Sequence, residues 1–208
     1  MKKLQIFILC VGLSALMTSC DSFLDITPTG KVIAKTGEEY RAMLTYEYST
    51  FPEDRGLMTL RSDEMELSPV VTDPNDYDTY FDIWRWNDEA PSPTTTSPNW
   101  RRYWHVIYIA NYLIEHQNEM TGYSQAEVRQ LVGESYMLRA YCHFLLANMF
   151  AQPYTKVNPE TTRGVPVLLE ADVNAIPHCS SLMAVYVKVL ADIAEALKFL
   201  NVVKLDEG

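Results

Sequence analysis

GESYMLRAYCHFLL, residues 133–146, is the stretch that decides the fold. Leu138, Cys142 and Leu145 recur at spacings of four and three, and the stripe runs back to Val128 and Leu131 and on to Met149, which predicts a long helix with one apolar face. Ser124 and Glu127 form a capping box at its start, and Pro153 blocks continuation beyond about Phe150. Arg139 sits on or beside the apolar face. A guanidinium there is costly unless paired, so Arg139 is expected to meet a carboxylate, Glu134 or Asp192, and to fix helix packing.

Working upstream, Trp100, Trp104, Ile107, Asn111 and Ile114 share one face of a second helix, with Ser97 as its cap and Pro98 at its first position. Asn111 should bond to loop backbone, since its amide lies on that face. Gly122 marks a short turn between the two helices. Downstream, a connector over residues 152–177 contains RGVPVLLE, a short extended piece. Ser180 or Ser181 then opens a third helix that turns Leu182, Val185, Val189, Ile193, Ala196 and Leu200 inward.

Two antiparallel helices with a short turn, and Ala140 four residues before Phe144, fit a tetratricopeptide-type repeat in part. Such a unit cannot bury its apolar face alone, so the third helix should need a further stacking partner. Before these helices, Thr36 and Glu39 form another capping box, followed by Tyr40, Met43, Leu44 and Tyr48 at helical spacing. Over residues 51–98 no period is sustained, and prolines 52, 69, 74, 91, 93 and 98 predict long ordered loops or short elements.

The first 20 residues, MKKLQIFILCVGLSALMTSC, have two lysines, an apolar centre too short for a comfortable membrane span, and small Thr18 and Ser19 before Cys20. They read as a lipoprotein signal over residues 1–19, with Cys20 as the lipidated residue anchoring the chain in membrane lipid. Residues 20–35 form a polar tether and residues 36–208 one helical domain.

The 208-residue chain has 27 acidic and 17 basic side chains, for a net charge of −10. Residues 1–19 hold two of the bases and no acid, so the remainder carries −12, which disfavours nucleic acid and repels an anionic leaflet. A hydrophobic content of 48% excludes wholesale disorder. Cys142 and Cys179 remain to pair in an oxidising compartment, but a cysteine on an apolar helix face reads as a small buried hydrophobe.

All four tryptophans fall between positions 84 and 104, shortly after Tyr77, Tyr80 and Phe81. Sugar C–H faces stack on aromatic rings, so Tyr77, Tyr80, Trp84 and Trp86, with Arg85 or Asn87 nearby, form a candidate glycan platform. In an extended loop Trp84 and Trp86 would point to the same side, whereas Trp100 and Trp104 are at helical spacing and read as core. Asp63, Glu64 and Glu66 could be read as a glycosidase pair, but proximity alone supports it and a solvated acidic loop is the ordinary expectation. DPNDYD, residues 73–78, has alternating oxygens without the turn glycine and distal glutamate of a calcium loop. The four histidines lack zinc-site companions, and no phosphate-loop or nucleophile-elbow motif occurs. The chain reads as a non-enzyme without cofactor or metal.

Four stretches resemble the SusD/RagB outer-membrane lipoproteins: the lipobox with SCDSFLDITP, WRRYWHVIYIANYLI, GESYMLRAYCHFLL, and RGVPVLLE with the following SSLMAVYVKVLADIAEALKFL, in which Tyr186 and Asp192 stand in the expected places. Cys179, where arginine is common, and FAQPYT, in place of an aromatic-Gly turn, depart from the pattern. The resemblance implies an all-α, tetratricopeptide-like N-terminal domain with long ordered loops. It also implies glycan capture at the cell surface for a partner TonB-dependent transporter, and acids after the cysteine, here Asp21 and Asp25, suit outward display. Members of that family are typically more than twice as long, so the chain corresponds to a truncated, N-terminal portion. A helical interaction scaffold and a lipid-anchored glycosidase are the alternatives.

Overall fold

A computed structural model describes residues 34–53, 55–66, 74–87 and 89–200; residues 1–33, with Cys20, lie outside it. Helix α1 spans Gly37–Ser49, α2 Arg55–Thr59, α3 Pro74–Trp84, α4 Trp100–Glu115, α5 Gln125–Phe150 and α6 Leu182–Phe199. Strands β1, Arg163–Pro166, and β2, Cys179–Ser181, pair antiparallel. Among its described residues, the unperiodic stretch therefore holds two short helices.

Both capping boxes form: the Thr36 hydroxyl accepts from Glu39 N and the Ser124 hydroxyl from Glu127 N, each glutamate answering the cap's own N–H. Ser181, not Ser180, caps α6. For α4 the expectation fails. Its cap is Asn99, whose side chain accepts from Arg102 N, and the helix starts at Trp100. The turn between α4 and α5 passes Gly122 at φ +80°, a left-handed conformation open to glycine.

The α4–α5–α6 stack holds the core, with Ile107, Ala110, Leu113, Leu131, Leu138, Cys142, Leu146, Val185 and Ala196 buried. Leu145, Met149, Ile193 and Leu200, expected inward, are only partly buried. Cys142 is a buried free thiol, whose pKa burial pushes up, and Cys179 is exposed and free, so no disulfide forms between them. On the outer side of α6, Val187, Leu190 and Leu197 are exposed.

One polar cluster lies inside the stack. The Arg139 guanidinium donates to both Asp192 oxygens and, from Nη1, to Asn111 Oδ1 at 2.7 Å. Lys188 Nζ is 2.8 Å from Asp192 Oδ1. Asn111 Nδ2 donates to the carbonyls of Leu168 and Glu170, the loop-backbone role expected of it. Of the two carboxylates considered for Arg139, Glu134 is not its partner: Glu134 faces α1, where it accepts two bonds from Arg41 and one from Tyr48, because a residue five positions before Arg139 points from a different side of the helix.

Candidate functional site

The site begins where α3 ends. Arg85 N donates to Phe81 O, Trp86 N to Ile83 O at 3.2 Å, and Asn87 N to Asp82 O at 2.9 Å. The last two bonds are those of a Schellman cap, in which the residue after the cap adopts left-handed φ and is usually glycine. Here it is Trp86, at φ +58°. For a bulky L-residue this conformation costs about 1–2 kcal/mol. Local strain of this kind marks positions where function can outweigh stability. The indole is 62% exposed, and the Arg61 guanidinium lies 5.0 Å from its ring centre.

Asp82, three residues before the cap, organises the loop that follows. Its Oδ1 accepts from Arg85 Nε and Asn87 Nδ2, and its Oδ2 from Ser92 N at 2.6 Å and Thr95 Oγ1 at 3.0 Å. The Ser92 backbone N–H, followed by the Asn87 amide, holds this carboxyl well below the usual carboxylate range. Asn87 Nδ2 also donates to Ala90 O, so one buried carboxylate and one amide hold Asn87, Ala90, Ser92 and Thr95 against the end of α3.

The other platform residues sit differently. Trp84 closes α3, stacks at 5.9 Å on Phe81 and donates from Nε1 to Met65 O, and it is half-buried. The extended-loop geometry expected for Trp84 and Trp86 does not occur, because the helix runs to Trp84 and then reverses at Trp86. The two indoles have different neighbours. Tyr80 is partly exposed on α3; Tyr77 belongs to the same helix, and its side chain is outside the described residues. Of the expected core pair, Trp104 is half-buried, while Trp100 is exposed at one edge and packs against Trp104 and Phe150.

Beside Trp86 opens a cleft of about 380 Å³ whose walls include Met58 and Arg61 near α2, Ile83 of α3, Thr95, and Met149 and Phe150 of α5. Arg85, Trp86, Asn87 and Glu89 border a shallower depression next to it. Sequence reasoning missed Met58, Arg61 and Met149 here. They come from segments far apart in the chain, and no local pattern announces their meeting.

Asp63, Glu64 and Glu66 are exposed. Residues 74–78, the greater part of the calcium-like stretch, are helical. Among the described residues no group of three or more His, Cys, Asp and Glu is arranged to hold a metal, and no helix is long and apolar enough to cross a membrane.

No curated protein matches the sequence significantly. Among solved structures, a SusD superfamily protein from Bacteroides vulgatus superposes with a TM-score of 0.65 at 17% identity, covering 83% of this chain and 39% of its own. One from Bacteroides thetaiotaomicron gives 0.56 at 17% identity over 80% and 38%. Another, from Bacteroides fragilis, gives 0.60 at 20% identity over 77% and 39%. The chain thus spans about two fifths of the length of these structures, which share its mostly helical fold. Residues 33–204 match the SusD-like family described as starch-binding and associating with the outer membrane, and this match, running through the stacked helices and the Trp86 loop alike, makes the chain a member of that family.

Proposed function

We propose that the chain is a cell-surface lipoprotein that captures glycan and hands it to a TonB-dependent transporter of the outer membrane. The observation that carries this reading is Trp86: a large ring held in an unfavourable backbone conformation, largely exposed, beside a cleft. Exposed aromatic faces are what sugar C–H faces stack on. The family description supports both the ligand class and the membrane address. In this reading residues 1–19 are the export signal, Cys20 carries lipid, residues 20–35 are the tether and residues 36–208 the binding domain, with no cofactor and no nucleic-acid partner.

Binding without turnover fits the carboxylates. Asp82 beside the cleft is engaged by four donors and held ionised, so it has no proton to give a leaving group. Affinity electrophoresis through polysaccharide gels tests the reading. Trp86→Ala should lose retardation that the parent chain shows, with its circular dichroism unchanged. Parent and variant migrating alike in every gel would end it.

A second reading, a helical interaction scaffold, is favoured by the outer face of α6, where Leu190 and Leu197 are 65% and 70% exposed.

A further inference from the structure

Resting on the reading of Trp86 as a sugar platform, we infer that Asp82 is the positioning residue of that platform: its carboxylate grips the residues on both sides of Trp86 and sets the ring for a glycan before any glycan arrives. Asp82 acts through Trp86, not by contact with the sugar.

A ring that is 62% exposed has few neighbours to hold it, so its direction is set by its Cα–Cβ bond and therefore by the backbone. At φ +58° that backbone would relax into an ordinary region unless its surroundings over-determine it. The two main-chain bonds of the cap do part of this, Trp86 N donating to Ile83 O and Asn87 N to Asp82 O. The Asp82 side chain does the rest. Its Oδ1 accepts from Arg85 Nε at 2.8 Å and from Asn87 Nδ2 at 2.9 Å, and lies 2.7 Å from Arg85 Nη2. Trp86 is the single residue between the two that are held. Oδ2 meanwhile accepts from Ser92 N and Thr95 Oγ1, and Thr96 N donates to Thr79 O, so the carboxylate is fixed to the returning loop and the loop to α3. With Asp82 only 5% exposed, these charge-assisted bonds are sheltered from water and correspondingly strong.

A ring that must be ordered on binding subtracts that cost from the stacking energy, whereas a ring held beforehand does not. Without the carboxylate, Trp86 is free to leave the left-handed region, and a glycan then has to select the presenting conformer from a mixture.

The test labels the full chain with 5-fluorotryptophan, which gives each of its four tryptophans a fluorine NMR signal, and identifies that of Trp86 by its loss in Trp86→Phe. In glycan-free Asp82→Ala the Trp86 signal should move while those of Trp100 and Trp104 stay, and retardation in polysaccharide gels should weaken about tenfold. Asn87→Ala, which removes the arm next to Trp86, should act in the same direction and serves should the first variant fail to fold. An unmoved Trp86 signal with weakened retardation would make Asp82 a direct contact of the glycan and overturn the proposal. A moved signal with undiminished retardation would overturn it too, as would movement of all four signals in both variants, which would leave Asp82 a structural residue only. In each of these cases Trp86→Ala still loses retardation and the platform stands. Equal migration of the parent and Trp86→Ala would overturn both.

Discussion

Arg139 Nε and Nη2 lie 2.8 and 2.7 Å from Asp192 Oδ2 and Oδ1, a two-point ion pair between α5 and α6 with both side chains almost wholly buried. A buried pair of this geometry contributes little against an apolar replacement, but losing one partner leaves a charge stranded. Asp192→Ala strands the buried Arg139 with Asn111 as its remaining side-chain partner, while Lys188 keeps access to solvent. Urea unfolding should show a loss of about 3–5 kcal/mol, and a loss below about 1 kcal/mol would mean that the pair is solvated in the folded chain.

His143 gives the fold a pH dependence. Its Nδ1 faces Arg139 O at 2.9 Å and its Nε2 faces Leu168 N at 3.4 Å, so the neutral ring, protonated on Nδ1, satisfies both contacts. Burial lowers its pKa to about 4; the bond to the Arg139 carbonyl and the charge of Asp192 favour a second proton, while the charges of Arg139 and Lys188 oppose it. The unfolded chain binds that proton nearer pH 6.5, so between these values the unfolded state holds more protons and stability falls as pH falls. The contribution is complete above about pH 6.5 and lost by about pH 4, with a size of about 3 kcal/mol. Melting of the parent and of His143→Gln from pH 7 to pH 4 isolates it. The parent should lose more stability than the variant over that range, and parallel curves would refute the assignment.

Gly133, which opens the GESYMLRAY stretch, is where α5 meets the end of α6. A Cβ there would stand 2.9 Å from Leu200 N and 2.9 Å from Leu200 Cγ, and the backbone atom cannot swing aside. Gly133→Ala should therefore cost about 1–3 kcal/mol although alanine favours helix. Gly56 in α2 has open space around its Cβ position, so Gly56→Ala should be neutral or gain up to about 1 kcal/mol. Thermal melts of the two variants in one buffer make the comparison.

Trp86 predicts opposed effects on stability and binding. Trp86→Ala keeps a side chain at φ +58° and removes the ring, whereas Trp86→Gly also removes the backbone strain. The glycine variant should be more stable than the alanine variant by about 1 kcal/mol, and both should lose glycan retardation. An alanine variant as stable as the glycine variant would show that the loop relaxes out of the left-handed conformation.

Helix signals that lie within one turn of each other were readable directly. Thr36 with Glu39 and Ser124 with Glu127 start their helices as the spacing predicts, because a capping box is satisfied by groups three residues apart. The family motif likewise located the α5–α6 core and the need of Arg139 for a carboxylate. The start of α4 was misread because Ser97-Pro98 and Asn99 are all capable of opening a helix, and which one does so depends on the loop that Asp82 anchors.

What the sequence determined by itself was the order of the longer helices, their apolar faces, the acidic surface and the presence in the core of a charge that requires a partner, since each follows from periodicity or composition. Tertiary structure decided which carboxylate answers Arg139, sending Glu134 to Arg41 and Asp192 to the centre. It also turned Trp86 away from Trp84 through a left-handed cap and joined Met58, Arg61 and Met149 in one cleft. Those outcomes depend on contacts between residues tens of positions apart, whose meeting is set by how the helices pack and by where the buried polar groups find partners.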